Sequence, residues 1–256
     1  MRQTRERRFW GWGFEDNVLD PKLLGFVESN LSLLFGGPSA RRDPPTLASV
    51  TLAAPRVSLP ESLGPLLDRS PHARLTHATG RSTLDLLRST RGLFPHAPDL
   101  VADPETEADL VSLLGECERR GIAVIPFGGG TSVHGGVTPA VSDRYRGTLS
   151  LDLARLSGVL EVDDVASAAR IRGGTTGPDL EQELRRTGHT LRFFPQSFEL
   201  STLGGWIATR AGGHFATGLT HIDDLVESVR MLTPRGVFET RRLPGSGAGP
   251  APERIV

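Results

Sequence analysis

The chain is poor in cysteine and in long apolar runs, and each shortage excludes something. Cys117 is the only cysteine among 256 residues, so an internal disulfide is impossible and a reducing compartment, the cytoplasm, is expected. The apolar segment at residues 23–35 is interrupted by polar side chains at 28–30, which argues against a membrane span. The basic N-terminus at residues 1–8 is likewise not a secretory signal, so we expect no transmembrane segment.

Net charge is also small. The 29 basic and 30 acidic residues give a formal net charge of −1, so no global basic field indicates a nucleic acid or an anionic membrane as partner. Lys22 is the single lysine, a bias that a GC-rich coding genome would also produce. A small-molecule substrate is therefore the expected partner, no nucleic acid is expected, and a homodimer is left open.

The most informative stretch is the glycine loop at residues 125–136. Glycine has no Cβ, so successive backbone N–H groups can point into one concavity that holds an anion, most often a phosphate. A P-loop would need lysine at Gly136, and a Rossmann fingerprint begun at Gly128 meets Val133 where its third glycine belongs. Neither familiar motif fits, and a glycine turn that only reverses the chain stays the alternative.

The elements before this loop read as strand, helix and strand. Residues 99–102 are β-like, Asp103 and Pro104 read as a helix start, and residues 122–125 form the strand that leads into the loop. The apolar positions of the helix lie at i, i+3, i+4 and i+7, so they form one buried stripe that ends near Gly121. These positions are Leu110, Leu113, Leu114 and Cys117, which favours a core role for the cysteine over a nucleophilic one.

Other elements follow from local patterns. Expected helices lie at residues 21–35, within 74–94 and from 177 towards 188, with short strands at 148–153, 159–162 and 168–171, a hairpin within 222–240, and loops at 38–60 and 243–250. The glycines at 173–177 are explained equally well as a second phosphate site or as a helix start. Ser201 is the expected cap of a helix from Thr202 to about Arg210.

Metal and hydrolase sites have little support in the sequence. His72 and His77, like His214 and His221, lack the further ligands that a metal site requires, so we assign no metal. No Gly-x-Ser-x-Gly elbow occurs, which argues against a serine hydrolase.

Two segments resemble a known family. Residues 126–132 are similar to the pyrophosphate-binding loop of flavoproteins with the vanillyl-alcohol oxidase, or para-cresol methylhydroxylase (PCMH), type of FAD domain, and residues 193–206 resemble that family's segment along the isoalloxazine and pyrophosphate. The aromatic stretch at 8–14 is similar to the start of alkylglycerone-phosphate synthases, the ether-lipid members. The resemblance implies an α+β fold: a two-subdomain PCMH-type FAD-binding domain at residues 96–256, preceded by a mostly helical and loop region at 1–95.

The resemblance also implies FAD as cofactor. The residues that it places on FAD are Pro126, Phe127, Gly128, Gly129, Gly130, Thr131 and Ser132 in the loop, Gln196, Ser197, Phe198, Glu199, Leu200, Ser201 and Thr202 in the second segment, and Thr209, Arg210, Ala211 and Gly212 beyond it. For Arg210 alone, a surface ion pair is the competing interpretation.

The implied activity is that of an FAD-dependent oxidoreductase that oxidises an alcohol or 2-hydroxy acid by hydride transfer to FAD. Two alternatives stay open: an alkylglycerone-phosphate synthase, in which FAD forms a covalent adduct while a fatty alcohol replaces an acyl group, and a truncated FAD-binding module without turnover. The synthases carry arginine just after a proline where Gly245 follows Pro244 here, which ranks the transferase second. No catalytic residue is named.

The chain reads as the amino-terminal part of such an enzyme. In the family a further glycine-rich segment closes over the cofactor, and nothing similar follows Thr240. We therefore expect the 256 residues alone to hold FAD weakly.

Overall fold

The computed structural model describes residues 5–37, 42–213, 218 and 221–242. The predicted loop at 243–250 and His214 lie outside these residues. The helices are α1 (Pro21–Phe35), α2 (Pro71–Thr76), α3 (Thr83–Ser89), α4 (Glu107–Arg120), α5 (Gly177–Arg185), α6 (Leu203–Ala208) and α7 (Ile222–Leu225), with 3-10 turns at Leu47–Ser49 and Glu61–Leu66. The strands are β1 (Leu67–Asp68), β2 (Leu100–Ala102), β3 (Ile122–Phe127), β4 (Gly147–Asp152), β5 (Val159–Asp163), β6 (Ala168–Ile171), β7 (Arg230–Thr233) and β8 (Gly236–Glu239).

A four-stranded sheet carries the glycine loop. Its order is β1-β2-β4-β3, with β2, β4 and β3 parallel and β1 antiparallel at one edge. Helix α4 packs on it through Leu110, Leu113 and Cys117, so these three residues of the predicted stripe are buried and Cys117 is a core residue, whereas Leu114 is only partly buried. The expected α+β fold is confirmed. Because β3 and β4 run parallel, both end at one edge of the sheet, where α/β units bind ligands.

Helix α4 begins later than the sequence pattern indicates. Its N-cap is Thr106, whose hydroxyl accepts the Asp109 N–H while the Asp109 carboxylate accepts the Thr106 N–H, a capping box. Asp103, the predicted cap, instead forms an ion pair with Arg155 at 2.6 Å. The predicted end is correct, because Gly121 takes a left-handed conformation there (φ 65°).

A second core lies around helices α5 and α6. Leu180 and Leu184 of α5 pack with Phe193, Leu203 and Trp206, and the β5–β6 ribbon covers this cluster. The hairpin of β7 and β8 is present as predicted, but the first part of its predicted strand is helix α7. The two cores correspond to the two expected subdomains.

The N-terminal region lies against the sheet. Phe9 is buried next to His72 and Phe94, whereas Trp12 in the same aromatic stretch is 41% exposed. The helix expected within 74–94 is α3, and the shorter α2 precedes it. Helix α1 has the predicted bounds and buries none of its residues. No helix in the described part of the chain is long and apolar enough to cross a membrane.

Candidate functional site

The glycine loop leaves the sheet at the end of β3. Pro126 and Phe127, predicted as loop residues, are the last two residues of that strand, paired with Leu151 and Asp152 of β4. Gly130 then turns with φ 66°, and its backbone lies so close to the Phe127 ring that a Cβ would overlap it. The loop therefore folds back over the buried Phe127 side chain.

Contacts to the carbonyls determine where the loop's N–H groups point. The Phe127 carbonyl accepts the Leu153 N–H at 3.0 Å, and the Gly128 carbonyl accepts Arg7 Nη1 at 3.1 Å. In a trans peptide the C=O of one residue and the N–H of the next point in opposite directions. The N–H groups of Gly128 and Gly129 therefore point away from Leu153 and Arg7, respectively.

Those N–H groups have no internal acceptor. Among the residues that the structure describes, none of the main-chain N–H groups at 128–132 makes a hydrogen bond. Four of these five residues are partly exposed, so their unbonded N–H groups are available to an external acceptor, either water or a ligand. A glycine turn that only reverses the chain would have no need of this arrangement.

The structure brings the loop together with the second predicted segment. A Cβ on Gly128 would overlap the Thr202 hydroxyl, and one on Gly129 would overlap the Leu200 carbonyl. Absence of a side chain at these two positions is therefore what lets residues 200–202 lie directly on the loop. Two parts of the predicted cofactor set, residues 128–129 and 200–202, are therefore in direct contact.

The far end of the loop is held by the N-terminal region. The Arg81 N–H donates to the Ser132 carbonyl at 2.7 Å, and Gly80 lies so close that a Cβ would overlap that carbonyl. Ser132 Oγ in turn accepts the Gly136 N–H at 3.2 Å. The loop is thus braced from both ends and is preorganised before any ligand arrives.

Two arginines make this region electropositive. The half-buried Arg81 donates to the carbonyls of Thr79, Gly80 and Arg8 rather than to a carboxylate. Burial, and then the charge of nearby Arg7, lower the pKa of Arg81 to about 10, against the opposing effect of Asp85. Two like charges held close together favour a bound anion between or beside them.

The second segment is built differently from its prediction. Thr202, not Ser201, is the N-cap of α6, and no side-chain hydrogen bond caps that helix. Ser201 Oγ instead donates to the Ser197 carbonyl at 2.8 Å and accepts the indole N–H of Trp206 at 2.7 Å. Residues 197–201 form a compact turn fixed to the second core, so Leu200 and Thr202 present a rigid edge to the loop.

The remaining predicted residues lie beyond α6. The Ala211 N–H donates to the Trp206 carbonyl at 2.9 Å, and the Ala211 carbonyl accepts the Ile222 N–H at 3.2 Å. Arg210 has φ 49° and pairs with Asp223 at 3.3 Å, the ion pair named as its competing interpretation. Residues 209–212 are therefore organised by α6 and α7 rather than by the glycine loop.

The second glycine patch is used for packing within the chain. The Gly173 carbonyl accepts the Gly204 N–H at 2.7 Å, and a Cβ on Gly174 would overlap the Leu153 carbonyl. The N–H groups of Gly174 and Thr175 are already bonded to the Leu156 and Arg172 carbonyls. Of the two explanations for this patch, close chain packing next to a helix start fits the geometry.

Arg7, Arg81 and the His77–Asp152 pair beneath the loop are the residues that sequence reasoning missed. Arg7 is 121 residues from its partner Gly128, and His77 is 75 from Asp152. No local pattern encodes such separations. The aromatic stretch at 8–14, next to Arg7, resembles the family but does not indicate which part of the chain it contacts.

Comparisons with known proteins agree with this geometry. A family described as FAD binding domain matches residues 98–241. Alkyldihydroxyacetonephosphate synthase of Dictyostelium discoideum is 39% identical over 177 residues, 69% of this chain and 29% of that protein. Glycolate oxidase subunit GlcD of Bacillus subtilis is 28% identical over 120 residues, 47% of this chain and 24% of its own length.

A solved structure of alkyldihydroxyacetonephosphate synthase superimposes with a TM-score of 0.84 at 30% identity, covering 97% of this chain and 49% of that one. The chain thus spans about half of the solved relative and under a third of the two sequence relatives. The family match contains the parallel sheet, the glycine loop and both segments of the second core. This chain therefore belongs to the FAD binding domain family, with the PCMH-type fold and with FAD as the family's cofactor.

Proposed function

We propose that this chain is the flavin-binding portion of an FAD-dependent oxidoreductase in which residues 128–132 hold the FAD diphosphate. The observation that carries the proposal is that the main-chain N–H groups at 128–132 have no acceptor within the described part of the chain. Backbone donors aimed at one point bind an anion without a lysine, which explains why the P-loop residue is missing.

The charge and shape of the site fit a diphosphate. Arg7 and Arg81 supply positive potential at the two ends of the loop, and neither is neutralised by a bonded carboxylate among the described contacts. Hydrogen bonds to a charged acceptor are worth about 1.5–3 kcal/mol each, so several N–H groups supply a large share of the affinity. A Cβ at Gly129 would overlap the Leu200 carbonyl, so glycine at this position lets the loop lie directly against residues 200–202.

In this proposal the chain's residues bind and orient the cofactor. When bound, FAD supplies a flavin that accepts a hydride from an alcohol or 2-hydroxy acid. The loop fixes the diphosphate, and the turn at 196–202 lies against the rest of the cofactor, with the buried Ser201 and Trp206 holding that turn in place. Residues 209–212, with Arg210 in its left-handed conformation, are proposed as the outer contact.

A second candidate is the ether-lipid transferase reaction. Because glycerone and dihydroxyacetone are the same compound, alkylglycerone-phosphate synthase and alkyldihydroxyacetonephosphate synthase are two names for one enzyme. The Dictyostelium synthase is 39% identical to this chain over 177 residues. The two reactions differ in what the flavin does. Anaerobic mixing of the FAD-loaded protein with 2-hydroxy acids bleaches the flavin in an oxidoreductase. Release of a fatty acid on adding a fatty alcohol and an acylated dihydroxyacetone phosphate indicates the transferase instead. A non-catalytic module would do neither.

We also propose a domain boundary, a homodimer and a cytoplasmic location. The boundary between an N-terminal region (1–95) and the FAD-binding domain (96–256) is supported by the start of the family match at 98, although residues 67–68 add an edge strand to the sheet. A homodimer is supported by the exposed apolar side chains of α1, for example Leu33 and Phe35. A cytoplasmic location is supported by the single, reduced cysteine.

Amide hydrogen exchange with and without FAD tests the diphosphate site. FAD should slow exchange at 128–132, whose N–H groups are unpaired without ligand, and leave Gly174 and Thr175 unchanged, because those N–H groups are already bonded. Release of bound ligand by heat, followed by chromatography, identifies the nucleotide. Protection elsewhere with none in the loop, or a nicotinamide nucleotide in place of flavin, would overturn the proposal.

A further inference from the structure

Helix α1 turns most of its apolar side chains away from the rest of the protein. The half-buried residues of the helix are Leu24, Glu28 and Ser32, so the side that contacts the protein is largely polar. The apolar side chains that are between 37% and 83% exposed are Leu23, Phe26, Val27, Leu31, Leu33, Leu34 and Phe35. An amphipathic helix on a soluble protein ordinarily buries its apolar face, so this orientation requires an explanation.

The exposed apolar area is large enough for a stable interface. Val18 and Leu19, which precede the helix, are 87% and 62% exposed and extend the apolar surface. At about 100 Å² for a fully exposed aliphatic side chain and about 200 Å² for an aromatic one, these residues together offer on the order of 700 Å². Monomers rarely expose a contiguous apolar patch above a few hundred Å², and a standard interface buries about 800 Å² per partner. The area is therefore close to that of one side of a dimer.

The charge of α1 does not suit a membrane surface. Helices that lie on membranes carry several lysines or arginines on their polar face, and these attract anionic lipids. The charged residues of α1 are Lys22 and Glu28, so the helix has no net charge. A polypeptide surface is therefore the better match for its apolar face.

One polar residue lies inside the apolar stripe. Intervals of four, three and four residues, the spacing of a helix–helix seam, separate Leu23, Val27, Asn30 and Leu34, all of them exposed. Asn30 Nδ2 donates to the Phe26 carbonyl at 2.7 Å. Within the described part of the chain, its second N–H and its Oδ1 have no partner. Any surface that covers this stripe must pair with the amide, because an unpaired buried polar group is costly.

A second copy of the chain brings the matching group. A carboxamide carries both donors and an acceptor, so two asparagines related by a two-fold axis form reciprocal N–H···O bonds. A different polypeptide would need a complementary polar group at this one position of an otherwise apolar surface. Asparagine in a helix–helix seam also fixes the register and the number of helices.

We propose that α1 is the dimerisation helix of this protein, packed against α1 of a second copy with Asn30 facing Asn30. This interface rests on the homodimer proposed above and is independent of FAD.

Light scattering of the 256-residue chain at a series of concentrations tests the interface. The wild type should be a dimer. The double variant Phe26→Glu, Leu34→Glu should raise the dissociation constant at least about a hundredfold, because carboxylates then enter an apolar contact. Val165→Glu is the matched control, since Val165 is 98% exposed in the turn between β5 and β6, and this variant should remain dimeric. Circular dichroism should show wild-type folding in both variants, because all three positions are exposed.

Cysteine cross-linking tests which residues meet. Cys117 is buried, so the wild type should form no disulfide-linked dimer. Asn30→Cys should form one under mild oxidation, because facing cysteines come within bonding distance. Ser29→Cys is the matched control, since Ser29 is also exposed but lies on the polar side of the helix. Equal cross-linking of the two variants, or of neither, would overturn the proposal.

The variant Asn30→Asp tests the facing pair through pH. Two carboxylates would repel each other across the interface, so the dissociation constant at pH 7 should rise at least about tenfold. Affinity should recover relative to the wild type as pH falls towards 4, where aspartate takes up a proton. A dissociation constant at pH 7 equal to that of the wild type would contradict the contact between the two Asn30 side chains.

The results separate this interface from the other proposals. A wild type that is monomeric at every concentration assigns the apolar face to another occupant, a membrane or a different polypeptide segment, and overturns both the interface and the homodimer. A dimer that persists in Phe26→Glu, Leu34→Glu overturns the interface and leaves the homodimer standing. FAD titration of the same samples decides the flavin site independently.

Discussion

Replacing Gly129 by alanine is the sharpest perturbation that the structure offers. The added Cβ would overlap the Leu200 carbonyl and lie 2.8 Å from the Ser201 Cα, both backbone atoms that cannot rotate away. The loop and the 200–202 turn must separate, and forced overpacking of this kind costs about 1–3 kcal/mol of unfolding free energy. A single methyl group should therefore damage the site.

The same displacement should weaken FAD binding by roughly a hundredfold. Moving the loop misaligns N–H groups whose charge-assisted hydrogen bonds are worth about 1.5–3 kcal/mol each, and two such losses correspond to that factor at about 1.4 kcal/mol per tenfold. Titration of apo-protein with FAD, followed by flavin fluorescence, measures the affinity, and urea unfolding measures the stability of the same sample.

Gly136→Ala is the matched control for this variant. A Cβ at Gly136 would lie 3.5 Å from Ser132 Oγ, an ordinary contact, so stability and affinity should both stay at the wild-type level. Wild-type affinity in Gly129→Ala would refute the idea that contact between the loop and residues 200–202 shapes the site. Equal losses in the two variants would show that any substitution in the glycine stretch is harmful, and the specific geometry would lose its support.

Three further predictions concern single contacts. Burial opposes ionisation of Asp99, yet hydrogen bonds from Arg56 and Thr148 lower its pKa from 3.8 to about 2, so its stabilisation is complete above about pH 4 and is lost as pH falls towards 2. In Asp99→Asn the unfolding free energy at pH 7 should be roughly 1–2 kcal/mol lower than in the wild type, and it should not show this fall in acid. An acid-unfolding profile that matches the wild type would contradict the prediction. Arg7→Gln should weaken FAD binding several-fold with little change in Tm, measured by the same titration, and an unaltered affinity would remove Arg7 from the site. Because burial and the Glu116 charge raise the pKa of the Cys117 thiol to about 11, iodoacetamide should leave it unmodified in native protein at pH 8, as mass spectrometry would check.

Local signals in the sequence predicted the elements well where a cap or a stripe was strong. The apolar positions of residues 21–35 indicated α1, and Gly121 indicated the end of α4. The first signal is a local apolar pattern, and the second is the preference of glycine for a left-handed backbone. Such preferences act over a few residues, so a sequence is enough to find them.

Errors arose where a contact with another side chain decided the structure. Asp103-Pro104 was interpreted as the helix start, but Thr106 is the cap because Asp109 completes a capping box with it. The Ser201 hydroxyl accepts the indole N–H of Trp206, and Thr202 is the N-cap of α6 instead. In both cases the decisive partner is a side chain whose position becomes known only once the helix is built.

The candidate site combines residues inside the family match with residues that precede it in the chain, and this has a thermodynamic consequence. The matched domain begins at residue 98, yet Arg7 and Arg81 hold the loop's carbonyls and His77 supports the ring beneath it. An N–H points into the site because the carbonyl of the same peptide unit is bonded on the opposite face, so docking of the N-terminal region and alignment of the donors are one event. By linkage, any ligand that prefers the aligned loop must stabilise the docked N-terminal region by the same free energy. A diphosphate would do so twice, once through the N–H groups and once by pairing with Arg7 and Arg81, because burial and then the charge of Arg7 disfavour the charged form of Arg81.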